Sequence, residues 1–368
     1  MVAAGGLTWV WLQARQSRST ASSTEDWMSA ALDAFNRGDL DHAVARARQR
    51  LGVQPSDVDA LRLLVRSLTY RSYTEFDRAV DRQIALQFSA RAASRAPNNA
   101  DILAIHAYAL AVNGQSADAA DAARRALEVA PDHALARTAL SLAYGGAGAL
   151  DSALREAERA VQLATGLDQL DALRALAIAY GDLGRYSEAA EVVDHALNRY
   201  GQLLTLYFER ALYAMQQGDY DDATEAYFRV LALDAENVKA HMRLCELSSL
   251  LRETDAAVDY CGAVTRLAPN WSDGWYRLGR EYFLQGQFSA AQHSLHQCSR
   301  LQIEQNVAPA ERRFECWYLQ GQAAEIVGDC QALISTYNEF QAMAADSSVT
   351  QTWTYPPEGP PACRPGVR

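Results

Sequence analysis

Several residue types on which common protein classes depend are scarce in this chain of 368 residues. Lys239 is the only lysine, no cysteine occurs before Cys245, and the chain has 10 prolines. No segment shows the alternation of apolar and polar residues that predicts β-strands. With 49% hydrophobic residues and abundant Ala, Leu and Arg, the composition favours helix and disfavours long disordered segments.

The sequence also lacks the short motifs that mark common catalytic and metal sites. It has no phosphate-binding glycine loop followed by lysine, no Gly-x-Ser-x-Gly turn and no paired metal-binding cysteines. We therefore predict that the chain is not an enzyme and that it has no cofactor or metal. Its Asp and Glu residues are expected to lie on helix surfaces. The net charge of -11 disfavours binding to nucleic acid, which depends on neutralising phosphates.

A repeat dominates what the sequence does contain. Alanines recur along it at separations of 42, 34, 34, 36, 34, 34 and 34 residues. These alanines are Ala43, Ala85, Ala119, Ala153, Ala189, Ala223, Ala257 and Ala291. A 34-residue period indicates one supersecondary unit copied many times, whose apolar face is buried by its neighbours.

The fullest copy of the unit lies between residues 275 and 295. After Trp275 it carries Tyr276, Leu278, Gly279, Tyr282, Gly286, Phe288, Ala291 and Leu295. This pattern resembles the tetratricopeptide repeat. The resemblance implies an all-α, right-handed solenoid of about nine helix-turn-helix repeats, in which Gly279 and the alanines let two helices pack closely. The expected repeats are 24–57, 58–99, 100–133, 134–169, 170–203, 204–237, 238–271, 272–305 and 306–345.

Two intervals of 42 residues depart from this period: one runs from Ala43 to Ala85, and the other from Ala291 to Leu333, which takes the equivalent place in the ninth repeat. The second repeat has eight extra residues, Arg71 to Arg78, which fit either an enlarged turn between helices or a loop that contacts a partner. In the ninth repeat, Pro309 predicts the first turn of a lengthened helix that runs to Val327.

The two ends of the chain, residues 1–23 and 346–368, lie outside the predicted array. An apolar run from Val2 to Leu12 is followed by arginines, but it is shorter than the roughly 20 residues that span a bilayer. It fits either a truncated membrane anchor or signal segment, or an apolar tag or capping helix. The proline-rich tail fits either a segment that folds back through Cys330 and Cys363 or a ligand for another protein.

All six cysteines lie between Cys245 and Cys363. Cys245 and Cys261 occupy sites that face each other in a helix hairpin, so a disulfide between them is geometrically feasible. The alternative is that both are small apolar residues of a close-packed core. Disulfides would place the array outside the reducing cytosol, so a membrane-associated or extracytoplasmic location is favoured over a cytoplasmic one.

The resemblance further implies a concave groove, lined by first-helix residues, that receives a polypeptide. On this chain the groove residues are Tyr276, Arg280, Phe283, Tyr318, Gln322, Lys239, Met242, Phe208, Arg174, Arg62, Arg66 and Tyr70. We predict a non-catalytic scaffold or adaptor that binds other proteins or peptides, mainly through repeats 7 to 9. The alternative is an accessory subunit of an envelope enzyme or transport complex, tethered to a membrane by its first residues.

Overall fold

The computed structural model describes residues 27–346 and residues 348 and 349. Throughout those residues the chain forms helices joined by turns, with no strand. Consecutive helices pair into hairpins, which confirms the all-α, helix-turn-helix prediction. The chain divides into two compact units, the first of which ends at Leu233 and the second of which begins at Asp234.

The first unit contains six hairpins in the part that is described. Their helices are α1 (27–36), α2 (Leu40–Val53), α3 (Val58–Arg71), α4 (Val80–Arg95), α5 (Ala100–Val112), α6 (Ser116–Val129), α7 (Ala134–Gly146), α8 (Leu150–Leu163), α9 (Asp168–Asp182), α10 (Tyr186–Tyr200), α11 (Leu204–Gln217) and α12 (Tyr220–Leu233). A short 3-10 helix, Phe76–Ala79, lies between α3 and α4.

The second unit contains three hairpins. Their helices are α13 (Val238–Leu251), α14 (Thr254–Leu267), α15 (Ser272–Leu284), α16 (Phe288–Glu304), α17 (Glu315–Val327) and α18 (Cys330–Ala344). A 3-10 helix, Pro309–Glu311, precedes α17. Of all the helices described, none combines the length and the apolar character needed to cross a membrane.

Short polar side chains fix where several first helices begin. The side chains of Asp57, Asn99 and Asn237 accept hydrogen bonds from backbone N–H groups three residues later, at 3.0, 3.0 and 2.9 Å. These contacts satisfy donors that have no partner inside the helix. The same residues therefore separate one hairpin from the next.

The eight repeat alanines lie where the two helices of a hairpin touch. All eight alanines are at most 1% exposed. Gly279 shows why the facing positions are small, because a Cβ atom there would lie 2.6 Å from Leu295 Cγ and 3.1 Å from the Leu295 backbone nitrogen. A larger side chain at either place would push the helices apart.

The ninth hairpin differs from its sequence-based prediction. The predicted helix from Pro309 to Val327 is wrong, because Pro309–Glu311 is a single 3-10 turn and α17 begins only at Glu315. The loop is held by other contacts: the Arg313 backbone N–H donates to Gln302 Oε1 at 2.6 Å, and Arg312 Nε donates to the Val307 carbonyl at 2.8 Å. Part of the extra length lies instead in α16, which has 17 residues.

The first unit forms a closed arrangement, in which hairpins that are distant in sequence contact each other. Hairpins 1 and 2 pack against hairpins 5 and 6 in one apolar cluster that includes Phe35, Tyr70 and Leu206. The rings of Phe35 and Tyr70 meet edge to face, with centroids 5.8 Å apart. Thr205 Oγ1 donates to the Tyr70 carbonyl at 2.8 Å, across 135 residues of sequence. Contacts within this unit therefore extend beyond neighbouring repeats.

Gly38 offers a test of this closure. Gly38 and Gly114 both occupy the left-handed region, with φ of +78° and +77°, but only Gly38 lies against another element. A Cβ atom on Gly38 would overlap the Gln202 carbonyl oxygen and lie 3.2 Å from its carbon, whereas one on Gly114 meets nothing within 4 Å. We expect Gly38→Ala to lower the free energy of unfolding by about 1–3 kcal/mol more than Gly114→Ala. Equal losses in urea denaturation would contradict the contact.

Candidate functional site

The first unit contains a cavity of about 680 Å³. Its wall is formed by the turn after α3 and by residues of α4, α5, α7 and α9. Tyr73, Arg82, Tyr108, Asp171 and Arg174 supply most of its polar groups. Cavities of this size are typical of small-molecule sites.

The enlarged turn of hairpin 2 places Tyr73 in this wall. Arg71, the last residue of α3, makes a two-pronged ion pair with the buried Asp81 of α4, with both nitrogen–oxygen distances at 2.7 Å. Thr74 Oγ1 donates to the Arg71 carbonyl at 2.8 Å and tightens the turn. The extra residues therefore form an enlarged turn whose base is closed by an ion pair.

A buried ion pair lies beside the cavity and joins α3 to α9. Arg66 Nε donates to Asp171 Oδ2 at 2.6 Å, and Arg66 Nη2 donates to Asp168 Oδ1 at 2.5 Å. Arg66 is 3% exposed and Asp171 is 2% exposed. Burial raises the pKa of Asp171, an effect that the charge of Arg66 opposes. Burial lowers the pKa of Arg66, but the two carboxylates more than offset this, so the guanidinium stays charged.

Arg174 of α9 forms a second charged contact with α11. Its Nε donates to Glu209 Oε1 at 2.9 Å and to Oε2 at 3.1 Å. The guanidinium carbon lies 4.6 Å from the centroid of the Tyr70 ring and 5.2 Å from that of Tyr73. The pKa of Tyr70 is raised by burial and by the nearby carboxylate of Asp171. Arg174 thus connects hairpins 2, 5 and 6.

These contacts bring together four predicted groove residues, Arg62, Arg66, Tyr70 and Arg174. Arg62 reaches both Asp101 and Asp168, and the other three side chains are buried. Phe208 of α11 is also buried, and its ring centroid lies 6.1 Å from that of Tyr227. A role of these residues in peptide binding stays a prediction.

Sequence reasoning missed the acidic partners of these arginines. The prediction that Asp and Glu residues decorate helix surfaces is wrong for Asp171, and Asp81 and Glu281 are buried as well. The only sequence signal is local, because Asp171 and Arg174 interrupt an otherwise apolar Ala- and Leu-rich segment of α9. That signal indicates polar residues on the inner face of α9 but does not identify the residues that they contact.

The predicted groove residues on α15 and α17 of the second unit remain partly exposed. Tyr276, Arg280 and Phe283 lie on α15, and Tyr318 and Gln322 lie on α17. The Arg313 guanidinium carbon lies 4.5 Å from the Tyr276 ring centroid. Gln322 Nε2 donates to the Tyr318 hydroxyl at 3.1 Å.

The remaining predicted residues of that unit differ in exposure. The ring of Phe283 meets Phe288 edge to face, with centroids 5.3 Å apart. Arg280 Nη1 donates to Ser249 Oγ at 3.1 Å, which connects α15 to α13. On α13, Lys239 is partly exposed, whereas Met242 is 2% exposed and packs in the core.

Two disulfides join pairs of described cysteines in the second unit. Cys245 and Cys261 join α13 to α14 with an S–S distance of 2.01 Å, and Cys298 and Cys316 join α16 to α17 at 2.04 Å. The first pair is the one that the sequence suggested, and the second was not anticipated. Cys363, the suggested partner of Cys330, lies outside the described residues.

Comparisons with known proteins identify the repeat. A family model described as tetratricopeptide repeat matches residues 214–280. The chain is similar to a chain of the APC/C hetero-tetramer Cut9-Hcn1, with 16% identity and a TM-score of 0.55 over 81% of this chain and 55% of that one. It thus spans only about half the length of that relative. No curated protein sequence matches the chain.

Two further solved structures share the fold. One is the C-terminal part of a TPR repeat-containing protein from Cytophaga hutchinsonii, with 14% identity and a TM-score of 0.53 over 66% of this chain and 96% of that one. The other is human IFIT1, solved as a dimer with m7Gppp-AAAA, with 14% identity and a TM-score of 0.52 over 91% of this chain and 86% of that one. At these identities the likeness is one of fold alone.

Proposed function

Since the chain is a tetratricopeptide-repeat protein, we propose that it is a non-catalytic scaffold that binds another polypeptide on the first-helix face of its second unit. This fold supports protein interaction in general, because stacked helix hairpins present long binding surfaces. The finer assignment rests on one observation: Tyr276, Arg280 and Tyr318 stay partly exposed on α15 and α17.

The two units differ in how far their predicted groove residues are exposed. In the first unit, Arg66, Tyr70 and Arg174 are at most 6% exposed and contact one another's helices. In the second unit, the equivalent first-helix face keeps aromatic rings and a guanidinium within reach of a partner. Tyr and Arg are enriched among the few residues that contribute most of the energy of protein interfaces. Tyr buries a large area at low cost in side-chain entropy, and Arg adds charged hydrogen-bond donors.

A double substitution tests this surface. We expect Tyr276→Ala with Arg280→Ala to reduce recovery of the bound polypeptide at least about tenfold, since each anchor of this type contributes roughly 2 kcal/mol. The measurement is affinity purification from the native host, with co-purified proteins quantified by mass spectrometry.

The matched control is Arg300→Ala with Tyr337→Ala. It removes the same two residue types from second helices, α16 and α18, and should leave recovery unchanged. A partner recovered equally with the Tyr276 and Arg280 variant, at unchanged helix content by circular dichroism, counts against the proposed surface.

The two disulfides favour a second candidate function, that of an extracytoplasmic accessory subunit of an envelope complex. Disulfides persist in oxidising compartments and are rare in reducing ones. The cross-links of α13 to α14 and of α16 to α17 therefore support a location outside the cytosol. The oxidation state of these four cysteines in the native host is the test of this candidate.

A further inference from the structure

Two guanidinium groups converge on the ring of Tyr73 in the first unit. The guanidinium carbon of Arg82 lies 5.3 Å from the ring centroid, and that of Arg174 lies 5.2 Å from it. The arginines come from different helices, α4 and α9, and the ring comes from the enlarged turn after α3. All three side chains line the cavity of about 680 Å³.

The positive charge of this arrangement is only partly offset. Glu209 pairs with Nε and Nη2 of Arg174, but Nη1 makes no hydrogen bond to any described residue. The guanidinium of Arg82 has neither an ion pair nor a hydrogen bond with the part of the chain that the structure describes. Asp171, the acidic residue of the wall, is already paired with Arg66.

The rest of the wall is largely apolar. Val80 of α4, Val112 of α5, Leu142 of α7 and Ile178 of α9 contribute side chains to it. A pocket of this kind buries the apolar body of a ligand and fixes its orientation with a few polar groups. Guanidinium groups suit a carboxylate, whose two oxygens match their paired N–H donors.

We propose that this cavity binds a small carboxylate with an apolar body. The carboxylate lies against Arg82 and Arg174 near Tyr73, and the body packs against the aliphatic side chains of the wall. The site belongs to the first unit, so it is independent of polypeptide binding by the second. It adds a small-molecule ligand to a chain whose repeats otherwise suggest only protein partners.

Calorimetric titration of the full chain with three matched probes tests this proposal. The probes are sodium octanoate, octan-1-ol and octylammonium, which share an alkyl body and differ in charge. We expect octanoate to bind at least about tenfold more tightly than the other two, because only a carboxylate gains charge-assisted hydrogen bonds. No octanoate binding, or equal binding of octanol, would overturn the proposal.

Two variants connect binding to the cavity. Arg82→Gln should weaken octanoate binding at least about tenfold, since it removes the unpaired cation. Arg91→Gln is the control, because Arg91 is on the same helix and stacks on Phe88 at 4.7 Å but does not line the cavity. Ile178→Trp should abolish binding by filling the space, with circular dichroism unchanged. Wild-type affinity in Arg82→Gln or in folded Ile178→Trp would refute the site.

Discussion

Replacing Arg66 by alanine is expected to lower the free energy of unfolding of the first unit by about 3–5 kcal/mol. The substitution leaves the carboxylate of Asp171, which is 2% exposed, buried without its cation. It also removes the closer of the two arginines that contact Asp168, and with it one connection between α3 and α9. Urea denaturation followed by circular dichroism and by tryptophan fluorescence, to which Trp27 of this unit contributes, measures the loss.

Two further variants show whether the loss of stability comes from the buried charge of Asp171. Arg66→Met with Asp171→Leu should recover much of the loss, because a buried ion pair can often be replaced by apolar side chains of similar size. Arg137→Ala is the control, since its pair with Glu156 is more exposed, at 20% and 24%, and should cost at most about 1 kcal/mol. If Arg66→Ala and Arg137→Ala cost the same, the buried pair does not stabilise the unit.

The cost of Arg66→Ala should also depend on pH. Arg66 lowers the pKa of Asp171, so its removal leaves burial to raise that pKa further. A carboxyl whose folded pKa lies above its unfolded value favours folding at low pH and disfavours it as the pH rises through the folded pKa. We therefore expect the deficit of the variant to shrink as the solution is acidified.

The sequence predicts the local architecture because the repeat period records contacts between neighbouring helices. Ala153, Ala189 and Gly279 mark where two helices touch, and this requirement recurs in each copy. Such nearest-neighbour information is sufficient for the helices, their order and their pairing. It fails in the ninth hairpin, where Gln302 and Arg312 hold a loop that a proline alone does not predict.

The closure of the first unit could not be predicted in the same way. Arg66 and Asp171 are 105 residues apart, and neither belongs to the periodic pattern. Their meeting depends on the small rotation at each successive repeat interface, which adds up along the solenoid but leaves no periodic signature in the sequence. The cavity depends on this closure and on the enlarged turn that carries Tyr73, so its residues are recognised only once both are in place.

Loss of the two disulfides between described cysteines is expected to destabilise the second unit strongly. We expect reduction of each bridge to lower the free energy of unfolding of the second unit by about 3 kcal/mol, since the bonded cysteines are 16 and 18 residues apart in sequence. Denaturation with and without dithiothreitol measures this, followed by circular dichroism and by tryptophan fluorescence, to which the buried Trp317 contributes. A variant with these four cysteines replaced by alanine should lack the stabilisation of both bridges whether or not dithiothreitol is present.

The oxidation state of the four cysteines in the native host tests whether the protein lies outside the cytosol. All four cysteines are buried, so alkylation must accompany denaturing lysis of the cells, without reductant. Mass spectrometry should then find Cys245, Cys261, Cys298 and Cys316 blocked by disulfides if the protein occupies an oxidising compartment. Four alkylated thiols would exclude the extracytoplasmic candidate.

The two bridges should also differ in what they protect. Cys245 and Cys261 join the helices of one hairpin, whereas Cys298 and Cys316 join hairpin 8 to hairpin 9. The ninth hairpin is the last one that the structure describes and contacts a described repeat on one side only, so we expect it to depend strongly on that bond. Hydrogen exchange should therefore show α17 and α18 losing protection in Cys298→Ala with Cys316→Ala, but not in Cys245→Ala with Cys261→Ala. The same exchange pattern in both variants would show that the bridges stabilise the unit only as a whole.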